Sequence, residues 1–352
     1  MVWIWVIAAY LGTGLSLALL VYWSFGLGRI WITSRRVPTA RAGVAMAAAS
    51  PPRAAVCVVI PAHNEAHAIG NVITSLRGQD HAAMTVVLAL DRCTDGTAGV
   101  AREAINGDPR FEIVEVNGCP EGWAGKVHAV WSGVNRSQAA AQAEYLLFID
   151  ADTELDPRCV SAAAAMMREG QLDMLSLLSS LTHERWFEAI AQPAASLELL
   201  RQYPLMQANR DEGRRPFANG QFMMFRAEAY RAIETHESVK DELLEDLALA
   251  RRIAQSGMRA GVYIADGMMR CRMYESWRAF RKGWKRIFTE GARRRSGKLR
   301  RAAFRVVFPG AVLPAFAGLS IVSGAVMLGV HGDRILGSIA AGVGGASLLV
   351  FF

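Results

Sequence analysis

The residues best able to do chemistry are Asp150 and Asp152, one residue apart at the end of Tyr145-Leu-Leu-Phe-Ile149. Apolar residues suited to a buried strand run straight into acid, so the carboxylates belong at a strand's carboxyl end, where open α/β sheets bind ligands. An Asp-x-Asp can chelate a hard divalent cation such as Mg2+ or Mn2+ through oxygen, and that cation can hold a nucleotide's phosphates. Taken alone, the same residues also read as a solvated loop leading from Thr153 to Pro157 into a helix. Other apolar runs end in similar groups. Pro61-Ala62-His63-Asn64-Glu65 closes one, and Asp91-Arg92-Cys93-Thr94-Asp95-Gly96-Thr97 closes another. Asp91 suits a base N–H or a ribose hydroxyl, whereas Asp95 or Thr97 is the expected cap of the following helix. In Gly122-Trp123-Ala124-Gly125-Lys126 a lysine stands at a helix start, a place suited to phosphate and equally an ordinary start signal. Glu245-Asp246 fits a helix's first turn, where acid is favoured. Neither G-x-G-x-x-G nor G-x-x-x-x-G-K-[ST] occurs, which argues against a dinucleotide enzyme or an NTPase.

The elements that must position these groups follow from periodicity. Strands are expected at residues 55–60, 85–90, 111–116 and 145–149, with helices at 66–79, 97–105 and 126–142 between them. Strict alternation predicts an α/β domain with a parallel, doubly wound sheet and ligand at the strand ends. Beyond Asp152 the pattern loosens. Residues 172–178 fit another strand, and residues 185–203 carry helical spacing interrupted by Pro193. Trp277, Phe280, Trp284, Ile287 and Phe288 share one helical face, with Arg278, Arg281, Lys282, Lys285 and Arg286 on the others. That composition predicts a helix lying in a membrane interface, the alternative being an ordinary amphipathic helix packed on the sheet.

The chain of 352 residues has 52% hydrophobic residues and a net charge of +7. Residues 2–23 are almost wholly apolar and uncharged, long enough at ~1.5 Å per residue to span a ~30 Å hydrocarbon layer. A transmembrane helix is favoured over a cleaved signal peptide, because the run is long and no basic residue precedes it. Residues 306–330 and 335–352 are apolar and divided by His331-Gly-Asp-Arg334, a helical hairpin in the bilayer. The second arm is short and the sequence stops inside it, so a partial or tilted last helix, or a truncated chain, is expected. Arg29, Arg35 and Arg36 after the first span, and basic residues between Arg270 and Arg305 before the last, put the intervening chain on the cytoplasmic side of the cell's inner membrane. Basic residues beside apolar spans argue against nucleic acid as a partner. The five cysteines form no Cys-x-x-Cys pair and read as reduced, mostly structural thiols. The expected layout is a first transmembrane helix at residues 1–28, a basic flank and Ala-rich linker at 29–53, a catalytic domain at 54–272, an interface helix region at 273–304 and the hairpin at 305–352.

Pro61-Ala-His-Asn-Glu, Asp91-x-Cys-Thr-Asp, Gly125-Lys126, Phe148-Ile-Asp-Ala-Asp-Thr, Asn219-Gly220-Gln221 and Glu245-Asp246 occur in the order found in family-2 glycosyltransferases of the GT-A fold, which residues 55–290 resemble. Gly-Trp-x-Gly-Lys and Arg272-Met-Tyr274 resemble the membrane members that glycosylate carotenoid, hopanoid-associated and ceramide lipids. The resemblance implies a nucleotide-diphosphate sugar donor, a UDP-sugar above all, contacting Pro61, Ala62, His63, Glu65 and Asp91, with Lys126 near the nucleotide or diphosphate. It implies Asp152 as direct ligand of Mg2+ or Mn2+, Asp150 on ribose or metal, Asp246 as catalytic base supported by Glu245, and residues 219–221 lining the acceptor pocket. The expected reaction is inverting transfer to a lipid acceptor. Polyprenyl-phosphate glycosyltransfer and a non-catalytic nucleotide-sugar-binding scaffold are the alternatives. One departure stands out: relatives carry [Gln/Arg]-x-x-Arg-Trp near the membrane, whereas here Arg278-Ala-Phe-Arg281-Lys282 precedes Trp284. Arg281 is still expected to reach the diphosphate, but the shift and the few apolar spans argue against a processive polysaccharide synthase.

Overall fold

The computed structural model describes residues 2–210, 215–292, 294–329 and 334–351. It divides into a unit holding residues 37–291 and a second holding the two ends of the chain. The second unit begins with helix α1 (Val2–Arg36), which continues well past the expected span.

The larger unit opens with α2 (Ala40–Ala49), a correction to the expected linker. Alanine is the strongest helix former, and the small side chains let this helix lie close on the later helix Cys159–Glu169. A Cβ on Gly43 would stand 2.5 Å from the Ala162 carbonyl oxygen. Alternation then follows as expected: β1 (Val56–Ala62), α3 (Ile69–Arg77), β2 (Met84–Asp91), α4 (Thr97–Ile105), β3 (Phe111–Val116), α5 (Gly125–Arg136), α6 (Gln138–Gln142) and β4 (Tyr145–Ile149). The single helix expected at residues 126–142 is thus two, divided at Ser137, whose hydroxyl accepts the Ala140 amide and starts the second. Next come β5 (Thr153–Leu155), α7 (Cys159–Glu169), β6 (Met174–Leu178), β7 (Ser180–Leu181), α8 (Trp186–Gln202), α9 (Leu205–Ala208), β8 (Phe222–Arg226), α10 (Ala227–Ala232), α11 (Glu245–Gln255), β9 (Ala260–Ile264), β10 (Met269–Cys271) and α12 (Trp277–Gly291).

The main sheet is mostly parallel, in the order β3-β2-β1-β4-β8-β6-β9. Only β8 runs antiparallel to its neighbours, inserted between β4 and β6. Apolar residues from both faces are buried, Val58, Ile60 and Leu147 on one side and Val59, Leu146 and Phe148 on the other. Such two-sided burial explains the unbroken apolar runs. A small second sheet, β5-β10-β7, lies beyond the end of β4, and the Arg272 amide donates to the Asp152 carbonyl there at 3.2 Å. The backbone of the acidic turn is therefore clamped by β10.

Pro193 does not break α8, which runs through it. On α12, Phe280 and Trp284 of the aromatic stripe are buried against Phe187 and its neighbours on α8. A helical stripe marks a face that needs an apolar partner and does not say whether that partner is lipid or another helix. On α8 and α12 the large apolar residues left exposed are Trp186, Ile190 and Trp277, the first and last with ring centroids 5.0 Å apart.

In the terminal unit, α13 (Ser296–Val307) passes through a π-helical turn at Phe308–Val312 into α14 (Leu313–Gly329), which packs on α15 (Arg334–Phe351). The polar divider at residues 331–333 lies outside the described residues. Trp3–Arg36 and Ser296–Gly329 are long and apolar enough to cross a membrane by length and composition, while the apolar part of α15 is shorter. Small residues set the packing: a Cβ on Gly324 would meet the Gly337 carbonyl oxygen at 2.7 Å, and one on Gly344 the Ala317 carbonyl oxygen at 2.7 Å. This pairing makes α14 and α15 antiparallel. Ser347 donates to the Ser16 carbonyl at 2.6 Å, so α1 joins the bundle through a polar contact as well.

Candidate active site

Cross-links stitch the loops after β1 and β2 together. The Glu65 amide donates to Thr97 Oγ1 at 2.8 Å and the Thr94 amide to Asn64 Oδ1 at 2.8 Å. His63 Nδ1 donates to the Asp91 carbonyl at 2.6 Å, and the Ala66 amide reaches Asp95 Oδ2 at 3.3 Å. Asp95 also accepts the Thr97 amide at 2.9 Å, but the cap position of α4 falls on Gly96, which has no side chain to cap with, a correction to the expected cap at Asp95 or Thr97. Pro61 and Ala62 end β1 in register with Ala89 and Leu90. Asn64 and Arg92 take left-handed backbone angles, φ +58° and +46°, so both strands leave the sheet through sharp turns.

Asp91 is buried, and the Arg92 guanidinium grips it with Nε to Oδ1 and Nη2 to Oδ2, both 2.8 Å. Nothing in the spacing pointed to Arg92, because a residue next to an acid in an extended strand faces away; the left-handed turn brings it back.

At the end of β4, Lys126 stands between two halves of the site. Its Nζ is 2.8 Å from Asp150 Oδ1 and 2.7 Å from Glu245 Oε1. The lysine is delivered by the first turn of α5, whose entry is fixed by the Ala124 amide donating to the Lys240 carbonyl at 2.6 Å. Withdrawal from water alone would lower the lysine's pKa; the two carboxylates override that and hold it above its ordinary value. For Glu245, burial works upward, and Lys126 brings the carboxyl below its ordinary value.

The neighbouring acids behave oppositely. Asp246 is pushed up to about 7 by burial and by the charge of Glu245. It accepts the Gly220 amide at Oδ2, 3.0 Å, and the Leu247 amide at Oδ1, 2.7 Å. Asp152 is also pushed up to about 7, by burial and then by Asp150 and Glu65. Its Oδ1 is buried and has no hydrogen-bond partner, while the Cys271 thiol lies against its carboxylate. Burial raises Glu65 as well. A carboxylate oxygen stripped of water and lacking a donor fits a hard divalent cation. Asp152 is the open carboxylate of the pair, and Asp150 is engaged by Lys126.

Gly220 reaches the site through its amide, whereas Asn219 and Gln221 are turned to other work. Asn219 Nδ2 donates to the Leu177 carbonyl at 3.0 Å, and Gln221 Oε1 accepts from Ser179. Arg281 is exposed on α12 and forms neither hydrogen bond nor ion pair with the carboxylate cluster. Behind Glu245 sits a buried pair, Tyr230 Oη with His236 Nδ1 at 2.7 Å; burial lowers His236 to about 4 and keeps it neutral. Cys271 and His236 had no sequence signal, since each is placed by strand pairing or by a turn far along the chain; the motif at residues 219–221 was visible, but not that Gly220 would reach the site through its amide. His67 lies 3.6 Å from Glu65 and 3.5 Å from Glu275, joining the β1 loop to the segment before α12.

The sequence profile described as glycosyltransferase like family 2 matches residues 51–293. The chain belongs to that family. Within the family, it is 28% identical over 244 residues to 4,4'-diaponeurosporenoate glycosyltransferase of Staphylococcus aureus, strains MRSA252 and USA300 among others. The alignment takes in 68% of this chain and 62% of the relative, so it spans less than two thirds of the length of the curated relatives it matches. Among solved structures, a mannosyltransferase from Pyrobaculum calidifontis in complex with GDP-Man and Mn2+ superposes with a TM-score of 0.54 at 16% identity, covering 96% of this chain and 97% of that one. The fold is that of the GT-A glycosyltransferases.

Proposed function

We propose that the protein is an inverting, metal-dependent glycosyltransferase that moves a sugar from a nucleotide-diphosphate sugar, with a UDP-sugar as the expected donor, to a lipid acceptor at the cytoplasmic face of the inner membrane. The observation that carries this reading is Lys126, which joins Asp150 on the donor side to Glu245, the neighbour of Asp246, at 2.8 and 2.7 Å. A cation-type carboxylate, Asp152, and a base-type carboxylate, Asp246, thus belong to one charged network. Family membership supports sugar transfer, the likeness to a lipid-related relative supports an apolar acceptor, and the two long apolar helices support a membrane setting.

In this reading the loops ending in His63, Glu65 and Asp91 hold the base and ribose, Asp91 being freed from Arg92 as the donor enters. Asp152, with Asp150, would hold Mg2+ or Mn2+. The cation, when bound, supplies positive charge against the diphosphate as it departs. Asp246 takes the proton of the acceptor hydroxyl while that oxygen attacks the anomeric carbon from the face opposite the leaving group. The C–O bond to the diphosphate breaks and the diphosphate leaves with the electron pair, so configuration inverts. The Gly220 and Leu247 amides aim the Asp246 carboxylate, and a carboxyl near 7 is matched to taking a proton at neutral pH. Asn219 and Gln221 hold the backbone that presents the Gly220 amide.

The test is release of nucleoside diphosphate together with formation of a glycolipid by the purified chain in lipid with Mn2+ or Mg2+. Asp152→Ala is expected to lose transfer. Turnover in that variant at the wild-type rate would overturn the assignment, and activity on a polyprenyl phosphate with none on neutral lipid alcohols would replace the acceptor.

A further inference from the structure

Resting on the donor and cation reading above, we propose that Lys126 is a built-in competitor for the divalent cation at Asp150, so that the cation binds tightly only together with a nucleoside diphosphate. The two aspartates of the pair are in different states. Asp150 Oδ1 carries the Lys126 ammonium at 2.8 Å, whereas Asp152 Oδ1 is buried with no partner. A cation arriving alone meets one open carboxylate, with the other already neutralised. Among the described residues no three His, Cys, Asp or Glu side chains form a ready cage. The missing ligands must come from the substrate, and diphosphate oxygens are the hard donors that such a cation accepts.

The lysine is also built to let go. Glu245 Oε1, at 2.7 Å, is a second and more deeply buried anchor, with 8% side-chain exposure against 28% for Asp150. When a cation takes Asp150, Lys126 keeps Glu245 and stays in the site. Its Nζ lies 3.4 Å from where a Cβ of Gly220 would stand, as does Asp246 Oδ2, so the released ammonium remains beside Asp246. Glu245 is thereby a positioning residue that holds the lysine and is not available as a base. Coupling of this kind is reciprocal: a cation that needs the nucleotide must tighten the nucleotide by the same factor.

The experiment measures Mn2+ binding to the full chain by electron paramagnetic resonance, without substrate and with saturating UDP. Wild type is expected to bind Mn2+ weakly alone and at least tenfold more tightly with UDP. Lys126→Met is expected to bind Mn2+ alone at least tenfold more tightly than wild type, with the gain from UDP reduced. Lys126→Gln, which can still hydrogen-bond both carboxylates, serves if the methionine variant does not fold by thermal melting. Arg92→Gln removes the same charge from Asp91, and its Mn2+ affinity is expected to stay within threefold of wild type. If the Lys126 variants bind Mn2+ alone no more tightly than wild type, or Arg92→Gln tightens it equally, the competitor role is overturned and the donor reading stands. If no variant binds Mn2+ even with UDP, both fall.

Discussion

The Gly220 amide donates to Asp246 Oδ2 at 3.0 Å, across a separation of 26 residues in sequence. This bond aims one oxygen of a buried carboxyl whose neighbour, Glu245, is already neutralised by Lys126. Asp246→Asn keeps the shape and removes the proton acceptor. Transfer to an alcohol is expected to fall by about 10²–10⁴, the usual share of a general base. In the wild type, kcat/KM should rise with pH through about 7, where Asp246 gives up its proton, and the variant should lose that limb. A pH–rate profile of both proteins checks this.

The same carboxyls set a pH dependence of stability. Asp152 and Asp246 titrate near 7 in the folded protein and near 3.8 ordinarily, so between those values the folded chain binds more protons than the unfolded one. Stability in the absence of divalent cation should therefore fall as pH rises from about 4 to about 7 and level off above. Glu245, lowered by Lys126, contributes the opposite way, and its share is lost as pH drops below its ordinary 4.5. Apparent thermal midpoints across pH 5–8 are expected to decline. Asp246→Asn should flatten the decline, and Mn2+ with UDP should flatten it by favouring ionised Asp152.

Much of this arrangement was legible in the residues. The runs ending at Ala62, Asp91 and Ile149 are buried on both faces, so their continuous apolar character signalled parallel strands. The acids following them fell at the strand ends for the same reason. What escaped was anything set by long-range pairing. The antiparallel insertion of β8 brings Gly220 to Asp246, and β10 brings Cys271 to Asp152; no local spacing encodes either. The helix at Ala40–Ala49 was hidden because alanine-rich sequence between prolines resembles a linker until a partner surface is known. The stripe on α12 was visible, but its partner, α8, was not.

Tyr274 precedes α12, and a Cβ on Gly283 would fall 2.2 Å from its phenol oxygen. Gly283→Ala must push the ring aside, at a cost of about 1–3 kcal/mol for an overpacked contact. Tyr274→Ala should be destabilising alone and should suppress most of the Gly283→Ala effect, a coupling that a double-mutant cycle of thermal midpoints would measure.

In the terminal unit, Gly324 and Gly344 let α14 and α15 approach until backbone carbonyls occupy the space a side chain would need. Gly324→Leu and Gly344→Val are each expected to part these helices and lower the melting midpoint in detergent. A conservative change at Gly318, where nothing lies within 4 Å, should have little effect.

In the proposed function, the cluster around Lys126, Asp150 and Asp152 receives a nucleoside diphosphate together with a divalent cation. The most direct measurement is a thermal-shift panel of UDP, GDP, ADP and their sugars on the purified chain, each with and without Mn2+, because a ligand that prefers the folded state must raise its midpoint. One nucleotide family, with UDP expected, should raise the midpoint strongly with Mn2+ and little without it, and Asp152→Ala should abolish the difference. Equal shifts with and without Mn2+, or no shift with any nucleotide, would contradict it.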